Sequence, residues 1–319
     1  MRICGTGLIA RLRSILKSIA RPLLKPAPDG EKAETGARAV EDYWTEHNVT
    51  LHRKFNSAKE SLEDFHWRND QYFGYLDLMP VSGVDGLAVL DFGCGPGYDL
   101  VGFATHSKPS RLVGIDVSES SLAEASDRLA LHSSDVELLR HDVSDGSLPL
   151  DDASMDLVHS SGVLHHVPDI DRALAELRRV LKHGGTAQFM VYHADSLWVH
   201  LYVAYERQIV QGIDTTLTLA EAFQRSTDGP GCPISRCYTH AQFVELAARH
   251  GFALETFGVA VSAWEMSLLH KRFAAIMDQR LFPESRSFLA ALTFDDKQLP
   301  LVRPGVHAGI DGCYRFRAV

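Results

Sequence analysis

The run VLDFGCGPGYDL, residues 89–100, sets Gly93, Gly95 and Gly97 directly behind a stretch of apolar residues. Glycines in that position let the backbone turn sharply and come close to a ligand. LAVLDF, RLVGID, VELLRHD, MDLVHSSG and TAQFMVY read as strands, and they alternate with helical stretches. In SESSLAEASDRLAL, Leu122, Ala125 and Leu129 share one helical face. In DIDRALAELRRVLKHGG, the residues Ile170, Ala173, Leu174, Leu177, Val180 and Leu181 form a stripe. Lys182, His183 and Gly184-Gly185 then carry the chemistry of a helix stop. Such alternation predicts an α/β fold, a parallel sheet with helices on both faces. Right-handed crossovers make it doubly wound. With ETFGVAVS and GCYRFRAV as later strands, the expectation is a mostly parallel seven-stranded sheet.

Ligands of such sheets bind at the carboxyl ends of the strands, where the strand order switches. A dinucleotide fingerprint spaces its glycines G-x-G-x-x-G. Here Gly97 falls at the fifth position, and the sixth is Tyr98. Asp91 stands two residues before the first glycine. A pyrophosphate there would face a carboxylate where it needs bare N–H donors. The absence of Gly-Lys-Ser/Thr excludes a phosphate-binding P-loop. Asp116 ends the second strand, 23 residues beyond Gly93, where a carboxylate can accept both hydroxyls of a ribose. The implied ligand has a ribose and a positive charge but no phosphate. S-adenosyl-L-methionine meets all three conditions.

Net charge is −9, so the body of the protein shows no nucleic-acid footprint. Residues 1–28 depart from this balance with Arg2, Arg11, Arg13, Lys17, Arg21 and Lys25 and no acid. Leu8, Leu12, Ile15, Leu16, Ile19 and Leu23 recur there at helical spacing. A basic amphipathic helix of this kind can lie on an anionic membrane surface, which gives an expectation of peripheral contact at the inner face. The expected organisation is that helix and a linker over 1–30, a helical cap over 31–80, and the main domain over 81–319 with a substrate-pocket insertion at 193–238. Five cysteines form no even framework, and a reducing, cytoplasmic setting fits them. Cys232 and Cys237 have no second pair to complete a zinc site, and no histidine pair has metal spacing, so no metal is expected.

VLDFGCGPG, LVGIDVS, HDVSDGSLPLDDASMDLV, SSGVLHHVPD and LRRVLKHGG, in this order, resemble the class I S-adenosylmethionine-dependent methyltransferases, and most nearly the small-molecule group that includes quinone-biosynthesis enzymes. The resemblance covers about residues 87–192, a third of the chain. It implies that Gly93, Cys94 and Gly95 approach the methionine tail, with Gly97 closing the loop. It puts Asp91 near the ammonium group, Asp116 with Val117 at the ribose, Asp142 with Val143 at adenine, and Ser160 at the methionyl end. SSGVLHH stands where adenine and glutamine methylators carry Asn/Asp-Pro-Pro-Tyr/Phe, which also argues against a nucleic-acid substrate.

A hydroxyl acceptor must lose its proton, and histidine suits that task near neutral pH. His165, His166 and His193 are the candidates at the mouth of the cofactor site. Trp67 and Arg68 on one wall, and Arg236 and Tyr238 on the other, are the candidate substrate contacts. The leading expectation is methyl transfer to a small molecule, to an oxygen of a glycan or lipid-linked intermediate. Carbon methylation of a quinone-like ring and a non-catalytic S-adenosylmethionine-binding partner protein are the alternatives. A dinucleotide oxidoreductase is opposed by Asp91 and the short glycine spacing.

Overall fold

The computed structural model describes residues 37–47, 52–142 and 146–319. The basic segment 1–28 and Val143 lie outside the described residues. The chain enters through α1 (Ala37–Glu46), α2 (Ala58–Asn69), a two-residue strand β1 (Tyr72–Phe73) and α3 (Tyr75–Leu78). The Ser57 hydroxyl caps α2 by accepting from the Glu60 N–H. α2 buries Phe65 completely, and that ring fills the space beside Gly102, where an added Cβ would lie 2.8 Å from it.

β2 (Ala88–Phe92) follows, buried at all five positions. That is the pattern of a parallel strand covered on both faces. Then come α4 (Tyr98–His106), β3 (Arg111–Asp116), α5 (Glu119–Ala130), β4 (Glu137–Arg140), β5 (Met155–Ser161), α6 (Ile170–Val180) and β6 (Leu181–Tyr192). β2 pairs in parallel with both β3 and β5, so consecutive connections leave it toward opposite sides. With β7 (Phe252–Ser262) and β11 (Asp311–Ala318), the order across the sheet is β1-β7-β11-β6-β5-β2-β3-β4. β11 runs antiparallel between β6 and β7.

Two differences from the sequence reading have physical causes. The sheet has eight strands rather than seven, because Tyr72 and Phe73 pair antiparallel with Ser262 and Val261. Two residues are too few to show a strand's alternation. The helix whose stop is expected at Lys182–Gly185 already ends at Val180, and Leu181 belongs to β6. Met155 pairs with Leu181 but Leu157 pairs with Thr186, so Lys182–Gly185 bulge out of register, with Gly184 at φ +72°. α6 itself is as expected: Asp169 caps it, and Ala173, Leu174, Leu177 and Val180 are buried against the sheet. Each such leucine contributes about 1.5–3 kcal/mol of burial.

Beyond β6 the chain leaves the sheet at His193 and returns at Tyr238, where the two residues form a bridge. Between them lie a π-helix (Trp198–Val210) and α7 (Leu219–Gln224), and α8 (His240–Arg249) resumes the pattern. Leu201 and Ala204 of the π-helix pack with α9 (Ala263–Leu268), α10 (Arg272–Met277) and α11 (Pro283–Ala291) in a second, smaller core. A small sheet of β8 (Thr293–Phe294), β9 (Pro300–Arg303) and β10 (Val306–His307) lies beside it. Among the described residues no helix is long and apolar enough to cross a membrane.

Candidate active site

A cleft opens at the carboxyl ends of β2, β3, β4 and β5. Asp91 and Phe92 come from β2, Ile115 and Asp116 from β3, His141 and Asp142 from just beyond β4, and Ser161 and Gly162 from the end of β5. This is where the connections from β2 part to opposite sides, the switch point of a doubly wound sheet.

The glycine loop lines one wall, and its amides are already in use. The Gly93 and Cys94 N–H groups donate to the Ile115 carbonyl at 2.7 and 3.0 Å. Gly97 N–H donates to the Cys94 carbonyl at 3.0 Å, and Gly95 N–H to Asp116 Oδ2 at 2.8 Å. A phosphate cradle needs such groups free. The turn demands glycine: Gly93 sits at φ +77°, and an added Cβ would lie 2.3 Å from the Val163 side chain. At Gly95 (φ +51°) the same added Cβ would meet nothing within 4 Å, so the missing side chain leaves open space on the cleft wall. Asp116 is oriented twice, since its Oδ1 also accepts from Ser118 N–H at 2.9 Å. The Val117 N–H also faces this carboxylate, which has about four acceptor positions, so one stays open to a ligand's hydroxyl.

Below the loop lies a buried charge network. His159 Nε2 is 3.1 Å from Asp99 Oδ2, and its Nδ1 is 3.2 Å from Gln188 Oε1. Both partners are acceptors, so the ring holds both protons. Burial works against that charge, but the Asp99 contact outweighs it and raises the His159 pKa. Burial likewise opposes ionisation of Asp99, and Arg68 with His159 overrides it, holding the carboxyl at about 2. Arg68 Nη1 lies 3.4 Å from Asp99 Oδ1 and faces the cleft. Asp91 is 2% exposed, and burial pushes its carboxyl up to about 7, against the pull of His159. A cation in the cleft would reverse that penalty.

The far end of the cleft is built by Val40 and Trp44 of α1 with His166, Val167 and Pro168. The Trp44 and His166 rings meet edge to face at 4.9 Å. His166 sits in a 3₁₀ turn, Leu164–His166, just after β5.

A family model for a methyltransferase domain matches residues 89–185. The chain is 30% identical to the 27-O-demethylrifamycin SV methyltransferase of Amycolatopsis mediterranei over 166 residues, 51% of this chain and 58% of that protein. It is 27% identical to a ubiquinone biosynthesis O-methyltransferase of Maricaulis maris, over 53% of this chain and 65% of that one. The chain spans 30–58% of the length of four curated relatives it matches. In fold it is similar to a geranyl diphosphate C-methyltransferase from Streptomyces coelicolor, with a TM-score of 0.50 at 14% identity, covering 92% of this chain and all of that one. The chain carries a class I S-adenosylmethionine-dependent methyltransferase domain.

The residues of the methyltransferase domain fit that cofactor. The amides are closed to phosphate, Asp91 suits a cation, Asp116 keeps an open acceptor position, and buried His141 Nε2 has no hydrogen-bond partner among the described residues. Of the residues singled out from sequence, Asp91, Gly93, Cys94, Gly95, Asp116, Val117, Asp142, Arg68 and His166 line the cleft.

The others sit elsewhere. Gly97 starts α4 and packs against Ala125. Ser160 is fully buried and donates to the Phe92 carbonyl at 3.0 Å, while its neighbour Ser161 faces the cleft. Successive strand residues point to opposite sides, so a one-residue error exchanges them. His165 is completely buried, its ring tilted against Tyr192 with centroids 3.8 Å apart, neither ring nitrogen is bonded among the described residues, and burial drives its pKa well down. His193 lies against Phe257, pushed down to about 4 by burial. Neither ring reaches the cleft. Trp67 is 45% exposed on the outer side of α2. The Arg236 guanidinium is spent on the Val167 and Pro168 carbonyls at 2.7 and 3.3 Å, and with Tyr238 it borders a separate hollow beside α7 and α8. Sequence reasoning did not assign Trp44, Asp99, His141 or Ser161 to the site. Trp44 and Asp99 belong to helices, whose facing depends on tertiary packing.

Proposed function

We propose that the protein transfers a methyl group from S-adenosyl-L-methionine to an oxygen of a small-molecule acceptor, a glycan or lipid-linked intermediate. One observation carries this reading: a single cleft joins a carboxylate-lined, phosphate-closed loop to an aromatic mouth holding His166. The two relatives named above as O-methyltransferases support oxygen as the acceptor atom. When bound, the cofactor supplies a methyl group on a cationic sulfur, so the chain's main task is alignment.

In this reading Asp91 meets the ammonium group and Arg68 the carboxylate of the amino-acid tail. Asp116 holds the ribose, and His141 with Asp142 faces the base. Asp99 and His159 keep Arg68 in place. The acceptor enters between Trp44, His166 and Pro168, which exclude water, and its hydroxyl meets His166. The cap helices and the 193–238 segment are the proposed walls of the acceptor pocket. Residues 1–28 are proposed to hold the protein on an anionic surface. Full-length chain should then bind vesicles containing anionic lipid more tightly than a chain lacking 1–28, and equal binding would remove that part.

Cofactor labelled in its methyl group, incubated with extract from cells lacking the protein, tests the activity. One acceptor fraction should take up label as an O-methyl group. A C-methyl product would move the reaction to a ring carbon. Bound cofactor with no transfer to any fraction would leave a binding protein.

A further inference from the structure

His166, Asp228 and Cys232 come together on the side of His166 away from the glycine loop, each offering one ligand atom, all within 4.8 Å of one another, and of the three His166 alone lines the cleft. His166 and Cys232 are buried, and the Asp228 side chain is 14% exposed. Asp228 and Cys232 lie four positions apart on one loop, but His166 stands 62 positions before Asp228, so no local spacing announces the set.

The ring orientation of His166 is decided by its other nitrogen. Nδ1 lies 2.6 Å from the Ile234 carbonyl, which can only accept, so Nδ1 carries the proton. Nε2 is therefore the lone-pair nitrogen, and it faces Asp228 Oδ2 at 3.7 Å. The Cys232 thiol donates to the same Ile234 carbonyl at 3.3 Å with its Sγ 3.9 Å from Nδ1, so it must turn toward Nε2 to share an ion with it. The distance from Nε2 to Oδ2 is too long for a hydrogen bond. It matches the roughly 3.5 Å between two ligand atoms on one tetrahedral zinc ion, given bonds of about 2.0–2.3 Å. Metal-bound histidines characteristically donate their second N–H to a carbonyl or carboxylate, and metal-bound carboxylates are held by further donors. Both supports are present. Tyr192 donates its hydroxyl to Asp228 Oδ1 at 2.9 Å, and Ser235 donates to Oδ2 at 3.1 Å. The Tyr43 hydroxyl of α1 donates to the Asp228 backbone carbonyl, fixing the loop at that point.

We propose that His166 Nε2, Asp228 and Cys232 Sγ bind one divalent metal ion, zinc by the mixed nitrogen, oxygen and sulfur character of the set. On binding, the Cys232 thiol loses its proton to solvent and its sulfur takes a coordination bond. Three protein ligands leave a fourth position, the arrangement of a catalytic rather than a structural zinc. His166 belongs both to this cluster and to the cleft wall, so with the ion bound the acceptor's oxygen would meet the metal at that position rather than the His166 ring, whose two nitrogens are then both engaged. This role rests on the methyl-transfer reading, whereas the ion binding does not.

Protein stripped with a chelator and titrated with zinc should bind one equivalent with a Kd of about 1 μM or tighter. Cobalt in place of zinc should show thiolate-to-metal absorption. Cys232→Ser should abolish that absorption, and Asp228→Asn should weaken zinc at least about tenfold. Cys237→Ser, on the same loop but outside the cluster, should change neither. No saturable zinc binding, or cobalt binding without thiolate absorption in the unaltered protein, overturns the proposal. A parallel titration with S-adenosylhomocysteine separates the two readings. If zinc binds and the nucleoside does not, the cofactor reading fails and the metal site stands. If the nucleoside binds and zinc does not, the reverse holds.

Discussion

At the glycine-loop end of the cleft, the wall comes from residues 91–96, 98–99, 115–117 and 141–142, each at or just beyond a strand's carboxyl end. At the other end it comes from α1 and the residues at and after the 3₁₀ turn at His166, behind which a loop over residues 226–238 touches His166 through Ile234 and Asp228. The first end is held by backbone hydrogen bonds that the sheet dictates, such as Gly93 and Cys94 on Ile115. The second is held by side chains from distant segments, such as Tyr43 and Tyr192 on Asp228 and Arg236 on Val167. A fold can keep the first constant while the second varies with the substrate, because loops change without disturbing the sheet.

Substitutions should separate the two ends. Asp116→Ala removes the partner of the Gly95 and Ser118 amides along with the ligand's own contact. Charge-assisted hydrogen bonds are worth about 1.5–3 kcal/mol each, so S-adenosylhomocysteine affinity should fall about 100-fold or more by calorimetric titration. Unchanged affinity would mean that the two ends have been wrongly divided. His166→Ala should do the opposite: kcat falls about 10²-fold or more while nucleoside affinity moves less than about threefold. Loss of both together would merge the ends into one unit.

Gly93→Ala forces a side chain into Val163 at positive φ, and a cost of about 1–3 kcal/mol should appear in denaturant unfolding. A smaller effect follows from Asp91. Its folded pKa, about 7, is raised above the unfolded value of 3.8. The folded protein thus holds that proton better than the unfolded chain, and this site's contribution to stability falls as pH rises from about 4 through 7. A cationic ligand needs the ionised form. Its affinity should therefore rise about tenfold from pH 6 to pH 8 and flatten above. A flat profile would put the cation elsewhere. The smallest effect belongs to Trp67→Ala, within about 0.5 kcal/mol on stability and without effect on turnover.

What could be read from sequence follows the same division. Strands β2 to β6 and the roles suggested for Asp91 and Asp116 rest on contiguous patterns, an apolar run, glycines and a carboxylate at fixed offsets. Arg68 is legible as a cleft residue, but nothing in FHWRND shows that its guanidinium pairs with Asp99. Trp67, its neighbour, points to solvent for the plain reason that adjacent helical residues diverge. The pair His165-His166 could be narrowed to one ring but not to which, since that depends on Tyr192 packing against one and Ile234 bonding the other. The strand β1 and the His166, Asp228 and Cys232 cluster exist only through long-range contacts, and no local period carries them.

The central claim is that the glycine loop accepts a cationic, phosphate-free nucleoside. Calorimetric titration of the full chain with S-adenosylhomocysteine and, separately, with NADH tests it most directly. The account predicts one equivalent of S-adenosylhomocysteine bound and no binding of NADH. Tight binding of NADH without S-adenosylhomocysteine would contradict it.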